Sequence, residues 1–401
     1  MKLAHLADLH LGFRQFARQT PQGINQREAD VAGAFRRALD AVIAAAPDLV
    51  VVAGDLFHSV RPTNAAILDS FNQFRRLRER LPQAPVVLVA GNHDTPRSVE
   101  TGSILRLFEA IPGVHAVALE ARRLTFDDLG CTVLGVPHAA QFASPRPALD
   151  PDPRAAVNIL VMHGEVAGVL PQTTPALEYG GALIDPADLR RGGWDYVALG
   201  HYHVATRVAP HAWYSGSLEY VSTNPWGEAR EQGAAERPGR KGWLLATLGR
   251  GAAEVAFQPL EPARRVIDLE PIQGAGLDAE ALSREIVDRA RRVRGGLTGQ
   301  IVRQVVYDVP RVTARELDHA AIRDLKATAL QYQLDLRRPP PSRQVGVGAP
   351  GRRQTLPELV AEYLSRRPLP AEVDRERFVA LGRGYVEEVE HDLLDGEGRD
   401  S

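Results

Sequence analysis

Cysteine is almost missing from this sequence: Cys131 is the only one among 401 residues. Intramolecular disulfides are thereby excluded, and a reducing compartment is expected. Cys131 lies in the apolar run CTVLGV and reads as a small buried hydrophobe with no catalytic part. Also lacking is any uninterrupted apolar stretch near the roughly 20 residues of a membrane span. The opening MKLAHLADLH breaks its apolar residues with His5, Asp8 and His10, as a strand does and a signal-peptide core does not. The expected location is the cytoplasm, with no membrane association. No GxxxxGK[ST] loop is present to cradle a nucleotide, and no repeat of about 20–50 residues is visible.

What is present has the balance of a folded protein, with 44% hydrophobic and 24% charged residues. The length suggests two or three domains. The net charge of −2 conceals an uneven distribution: residues 1–260 hold 25 basic against 26 acidic residues, 261–353 hold 17 against 12, and 354–401 hold 6 against 12. A basic middle segment supports contact with an anionic partner, although solvated helix faces would give the same pattern.

The first 110 residues alternate β-branched runs (KLAHLA, LVVVA, VVLVA) with amphipathic stretches over 26–46, 63–80 and 101–110, a βαβαβ pattern. Thr63 is a plausible N-cap for a helix that buries Ile67, Leu68, Phe71, Phe74 and Leu77. From 114 to 260 short strands dominate, among them CTVLGV, VNILVM, YVALG and GWLLATL, which predicts a second sheet. Residues 264–335 return to an αβ rhythm, with helices over 278–294 and 313–330. The proline- and arginine-rich segment 337–353 reads as a flexible linker. Beyond it, Leu356, Leu359, Val360, Tyr363 and Leu364 form one helical stripe, and Phe378, Leu381, Tyr385, Val389 and Leu393 another. These helices either fold back on their own chain or occupy a partner's groove.

The chemistry sits where the strands are expected to end. Asp8 and His10 follow the first strand, Asp55 and His58 the second, and Asn92, His93 and Asp94 the third. His163 follows VNILVM, and His201 and His203 follow YVALG. Ligand sites in α/β sheets gather at the carboxyl ends of strands, so these scattered positions can converge. Carboxylate, amide oxygen and imidazole, with no thiolate, suit a pair of divalent ions. Such a pair can acidify a bound water and neutralise charge on a phosphoryl group, and it requires a bridging carboxylate, here assigned to Asp55. A lone DxH or HxH arises by chance. GDLFH, GNHD and GHYH are more specific, because each follows an apolar run, and Gly54, Gly91 and Gly200 allow close approach beside the ligands.

DLH, GDLFH, GNHD, HGE and GHYH, in this order, resemble the calcineurin-like metallophosphoesterase superfamily, and within it the SbcD-type repair nucleases. The resemblance implies an α/β fold, a four-layer sandwich of two mixed sheets flanked by helices. It also implies four segments: a nuclease domain over 1–262, a small α/β DNA-facing cap over 263–336, the linker 337–353, and a helical partner-binding segment over 354–401. One metal would be held by Asp8, His10, Asp55 and His203, the other by Asp55, Asn92, His163 and His201. Manganese is the expected ion, with magnesium as an alternative. His93 would donate a proton or hydrogen bond to the leaving 3′ oxygen or a phosphate oxygen, with Asp94 orienting its ring, and His58 would stand near the substrate phosphate, its bland alternative being a surface histidine at a helix start. His5, within the first strand, is expected to pack.

The activity implied is 3′–5′ exonuclease action on double-stranded DNA and endonuclease action on single strands and hairpins, independent of sequence. Arg264, Arg265, Arg291, Arg292 and Arg294 are the expected phosphate contacts. The implied partners are an SbcC-type coiled-coil ABC ATPase gripped by 354–401, and a second copy of the chain in a homodimer. Two rivals stand beside this expectation. A phosphatase of the same fold is disfavoured by GDLFH and GNHD where protein phosphatases carry GDxVDRG and GNHE, and a small-substrate phosphodiesterase by residues 264–401, a second domain and helical tail that compact phosphodiesterases usually lack. A catalytically inactive scaffold for DNA ends would have no physical need for the complete ligand series.

Overall fold

Strands with apolar side chains at every position must be covered on both faces, and LVVVA and VVLV are buried throughout. The computed structural model shows what covers them. It describes residues 1–96, 102–168, 181–190, 192–234, 240–249, 252–339, 355–370 and 373–396.

From the N-terminus the chain runs β1 (Lys2–Leu6), α1 (Gln26–Ala45), β2 (Leu49–Ala53), α2 (Asn64–Arg80), β3 (Val86–Val89) and β4 (Val114–Val117). It continues through β5 (Arg122–Phe126), β6 (Cys131–Val136), α3 (His138–Gln141), β7 (Val157–His163), β8 (Glu165–Val166), β9 (Leu183–Ile184), α4 (Pro186–Leu189) and β10 (Tyr196–Gly200). There follow β11 (Thr206–Ala209), β12 (Ala212–Tyr214), α5 (Pro225–Ala234), β13 (Lys241–Gly249) and β14 (Ala252–Leu260). Last come β15 (Val266–Gln273), α6 (Ala279–Arg291), β16 (Ile301–Tyr307), α7 (Arg311–Arg315), α8 (His319–Thr328), β17 (Gln331–Leu336), α9 (Leu356–Ser365) and α10 (Arg375–Gly396).

Two six-stranded mixed sheets, ordered β14-β13-β1-β2-β3-β4 and β11-β12-β10-β7-β6-β5, form the centre. Each has four parallel strands extended by antiparallel ones. Alternate residues divide between two apolar layers, as the two-residue period of a strand requires. Leu3, Leu49, Val51, Val87 and Val89 of the first sheet face Val133, Ile159, Val161, Tyr196 and Ala198 of the second. Ala4, Leu6, Val50, Val52 and Leu88 point the other way, onto Val31, Phe35, Leu39 and Phe74 of α1 and α2. Thr63 caps α2 as the sequence suggests, accepting from the Ala66 amide at 3.2 Å.

Residues 1–338 form one compact unit and residues 339–401 a second. Within the first, parallel β15, β16 and β17 make a small sheet with an apolar core of its own that includes Ile272, Leu282, Ile286, Val306 and Ile322. Three details differ from the sequence reading. Leu68, expected on the buried face of α2, is 64% exposed. The helix expected over 313–330 is broken into α7 and α8, because Asp318 accepts from the Ala320 and Ala321 amides and so starts a new helix. The residues just after it form strand β17, whose QYQLDL pattern alternates too weakly to announce itself. The stretch 101–110 forms a 3-10 turn over Ile104–Ala110.

In the second unit α9 and α10 pack together so closely that a Cβ on Gly382 would lie 2.2 Å from Leu364 Cδ1. Leu359, Tyr363, Leu381, Tyr385 and Val389 remain exposed; the side chain of Leu393 and residues 340–353 of the expected linker lie outside the described residues. No helix among the described residues is long and apolar enough to cross a membrane.

His5 points between the sheets, fully buried, with Nδ1 3.0 Å from the Tyr196 hydroxyl. Burial pushes its pKa down to about 3, against 6.5 for an ordinary histidine. The folded state therefore refuses a proton that the unfolded chain accepts, so stability is intact above pH 6.5 and falls as pH drops from 6.5 towards 3. The slope from this one group is about 1.4 kcal/mol per pH unit. His5→Asn should lose that component: urea unfolding at pH 7 and pH 5 should show the gap between wild type and variant narrowing at the lower pH, and a gap independent of pH would refute the assignment.

Candidate metal centre

Five loops meet at the carboxyl ends of β1, β2, β3, β7 and β10, parallel strands drawn from both sheets. They carry Asp8 and His10, Asp55 and His58, Asn92 to Asp94, His163, and His201 and His203. The backbone there is unusual. Asp8, His10, Asp55 and His201 have φ of 54°, 44°, 53° and 101°, in the region that side-chain-bearing residues seldom adopt. Cross-loop bonds hold them so: the Asp8 amide donates to the Gly54 carbonyl at 3.0 Å and the His10 amide to the Asp55 carbonyl at 2.9 Å.

Asp8, His10 and His203 form one group of approaching ligand atoms, and Asp55, His163 and His201 another. Asn92 joins the second, its Oδ1 lying 3.0 Å from His163 Nε2 and 3.3 Å from His201 Nδ1. Asp55 stands between the groups. Its Oδ2 is 3.2 Å from His163 Nε2 and 3.6 Å from His10 Nε2. Its Oδ1 accepts the His93 amide at 2.9 Å. Two glycines make room: a Cβ on Gly91 would stand 2.1 Å from Asp55 Oδ1, and one on Gly54, whose φ is +92°, only 2.0 Å from His163 Nδ1.

The atoms that converge are those a cation would need. His163 Nδ1 lies 2.8 Å from the Ala53 carbonyl, which fixes the ring and turns Nε2 towards two oxygens, Asp55 Oδ2 and Asn92 Oδ1. His10 Nε2 and His203 Nε2 face each other at 3.2 Å. The buried Oδ2 atom of Asp8 has no hydrogen-bond partner among the described residues. Lone pairs directed at one another in the interior are costly unless positive charge lies between them. The protonation behaviour says the same. Burial opposes charge on His163, yet the Asp55 carboxylate, by charge and hydrogen bond, holds its pKa up to about 9. Burial alone would raise Asp55, but His163, His10 and His93 hold it well below the usual carboxylate range. Asp8 is pushed up to about 6 by burial, against the charges of His163 and His203. The residues present thus fit a pair of divalent ions, with Asp55 able to touch both.

The three histidines beyond the carboxylates also come together, since His10, His58 and His93 form a third group. His58 does not start a helix. It is half-buried, its ring stacked on His93 with centroids 5.1 Å apart and edge-on to Phe13. Its Nδ1 lies 3.2 Å from His10 Nδ1.

Asp94 behaves differently from the expectation that it orients His93. Its carboxylate accepts from the backbone amides of Leu56, Phe57 and Gly91 at 3.0, 3.0 and 3.1 Å. It is the carbonyl of His58, 2.8 Å from His93 Nδ1, that steers the His93 ring. Asp94 therefore ties the β2 loop to the β3 loop. Burial, with the Asp55 charge adding, lifts its pKa to about 6 in spite of the three amides.

Arg264 and Arg265 also depart from expectation, because their guanidinium groups are engaged inside the chain. Arg264 binds both oxygens of Asp30 and the Gly299 carbonyl. Arg265 binds the carbonyls of Arg294 and Gly296. Arg264 is half-buried and structural in this fold, whereas Arg265, for all its carbonyl contacts, is exposed like Arg291, Arg292 and Arg294. Sequence reading missed two buried polar groups near the site, Gln141, which donates to the His163 carbonyl at 2.8 Å, and Lys241, which donates to the His203 carbonyl. Neither lies in a motif.

The family described as calcineurin-like phosphoesterase matches residues 1–205. The DNA double-strand break repair protein Mre11 of Methanopyrus kandleri is 27% identical over 423 aligned residues, covering 99% of this chain and 86% of that protein. The protein of the same description from Methanococcus maripaludis is 27% identical over 209 residues, covering 51% of this chain and 52% of its own, so that match spans about half of the relative. A crystal structure of Pseudomonas putida nuclease MPE aligns with a TM-score of 0.19 at 16% identity, over 39% of this chain and 58% of that one.

Asp94→Ala should destabilise the fold, because three amides would lose their acceptor at about 1–3 kcal/mol each. Denaturant unfolding should show a loss of roughly 3 kcal/mol or more, and a loss under about 1 kcal/mol would return Asp94 to a role confined to catalysis.

Proposed function

The chain belongs to the calcineurin-like phosphoesterase family, and from that premise we propose that it is a metal-dependent nuclease that hydrolyses DNA phosphodiesters in double-strand-break repair. The observation that carries this reading is the pair of ligand groups sharing the Asp55 carboxylate. The DNA substrate is supported by relatives described as double-strand break repair proteins, one of which aligns with almost the whole chain.

In this reading Asp8, His10, Asp55 and His203 hold one ion and Asp55, Asn92, His163 and His201 the other, with manganese preferred and magnesium accepted. Two ions held there would supply an activated water and neutralise charge on the phosphoryl oxygens. The chain's own work is to fix the ligands beforehand. The His201 amide holds Asp8 Oδ1 at 2.8 Å and the His93 amide holds Asp55 Oδ1, so neither carboxylate has to reorganise during the reaction. With His93 Nδ1 donating to the His58 carbonyl, Nε2 is the atom that passes a proton to the leaving 3′ oxygen. His58, stacked on that ring, keeps it in register with the phosphate.

Residues 263–336 act as the cap over DNA, with Arg291, Arg292 and Arg294 as phosphate contacts that do not read sequence. Exonuclease action from 3′ to 5′ on duplex ends and endonuclease action on single strands and hairpins complete the proposal. The exposed apolar residues of α9 and α10 would seat an SbcC-type ATPase, and the active assembly would contain two copies of this chain.

The test is cleavage of end-labelled duplex and hairpin DNA with manganese, run beside a p-nitrophenyl phosphodiester, for wild type and His93→Leu. Wild type should cut DNA only with metal, and His93→Leu should keep its metal and its DNA affinity while turnover falls about 10²–10⁴-fold, the usual worth of a general acid. Hydrolysis of the small diester alone would leave a phosphodiesterase with a different substrate; loss of metal in the variant would make His93 a ligand.

A further inference from the structure

Lys241 is one of three lysines among the chain's 48 basic residues, and it is 1% exposed. A buried ammonium is tolerated only where acceptors surround it. Lys241 opens β13, whose antiparallel register with β1 sets Leu244 opposite His5, so this strand begins at the end of the sheet from which Asp8 and His10 depart. Its Nζ donates to the His203 carbonyl at 3.1 Å, to Ser217 Oγ at 2.8 Å and to Glu228 Oε1. Those are three acceptors for three N–H bonds, and the Tyr220 ring lies 4.8 Å away. The His203 carbonyl receives a second donor, the Ser217 amide, at 3.1 Å.

Glu228 is buried on α5, and its other oxygen accepts the Ser222 amide at 3.3 Å. The same helix is plugged into the small β15-β16-β17 sheet. Trp226 packs on Ile301 and Leu330 and donates Nε1–H to the Ile267 carbonyl at 3.2 Å. Arg230 pairs with Asp268 at 3.0 Å, and the Arg303 guanidinium lies 5.2 Å from the centre of the Trp226 ring.

We propose that Lys241 is a positioning residue for the ion held by His203, fastening the His203 peptide to α5 and through α5 to the small sheet. This rests on the metal-binding reading above. With two donors on its carbonyl the His203 peptide plane is fixed, and with it the ring that faces His10. Groups behind a metal ligand set its orientation and so its affinity. The Lys241–Glu228 pair fills that place for the ion held by His203, the ligand whose carbonyl Lys241 binds.

Titration of the full chain with Mn2+, with bound ions counted by elemental analysis, tests the proposal on wild type, His203→Ala and Lys241→Met/Glu228→Gln. The double substitution removes both charges together and leaves neither uncompensated. Wild type should bind two ions, and His203→Ala should lose one. The double variant should keep a native circular dichroism spectrum and bind one ion as wild type does, with the other weakened about 10–100-fold. Wild-type affinity for both ions in the double variant, with one ion lost in His203→Ala, overturns the positioning role and leaves the metal reading intact. Equal weakening of both ions also overturns it, by showing a general loosening. Identical metal content in wild type and His203→Ala overturns the metal reading itself. Should the double variant fail to fold, Glu228→Gln alone is titrated: selective weakening of one ion supports the role, and none refutes it.

Discussion

A buried carboxylate has to find positive charge or give up its own, and Asp55, with no exposed surface, finds it. It leaves the end of β2 in the middle of the first sheet, and four other strand ends are arranged around it. The second sheet brings His163 to one of its oxygens while the β3 loop brings an amide to the other. Gly91 is side-chain-free where any Cβ would collide with it. The sheet order, the glycines and the left-handed backbone at the loop starts all serve the same demand, that two sets of lone pairs converge on one buried anion.

Much of this was legible in the sequence because the chain breaks its apolar runs abruptly. Ala-Gly-Asp after LVVV, Ala-Gly-Asn after VVLV and Gly-His-Tyr-His after YVAL announce strand ends that carry polar side chains into the interior. That His5 packs rather than ligates was also readable, since it occupies a mid-strand position facing inward. The partition into two groups belongs to the packing of one sheet on the other, through Val51, Val89, Ile159 and Val161, and here the sequence supplied it only by resemblance.

Other features could not be read, for identifiable reasons. Asp94 sits in the same GNHD motif as Asn92 and His93, and nothing local shows that its oxygens turn back to three amides. Arg264 and Arg265 look like any basic pair until Asp30, 234 positions from Arg264, is found beside one of them. Lys241 and Glu228 lie in a strand and a helix with no distinguishing pattern, and only the fold brings them to the His203 carbonyl. Contacts of long sequence separation leave no trace in a window of neighbouring residues.

The positive φ angles at Asp8, His10, Asp55 and His201 bear on how such a site decays. Each is held against a cost of order 1–3 kcal/mol, less for aspartate, whose short side chain tolerates that region better. While metal binding is under selection the cost is carried. Once it is not, glycine or asparagine at these places relieves the backbone without disturbing the sheets behind them. Descendants of this fold that have given up catalysis should therefore show glycine and asparagine at these four positions before they show alanine or valine, a mark of lost chemistry written in backbone preference.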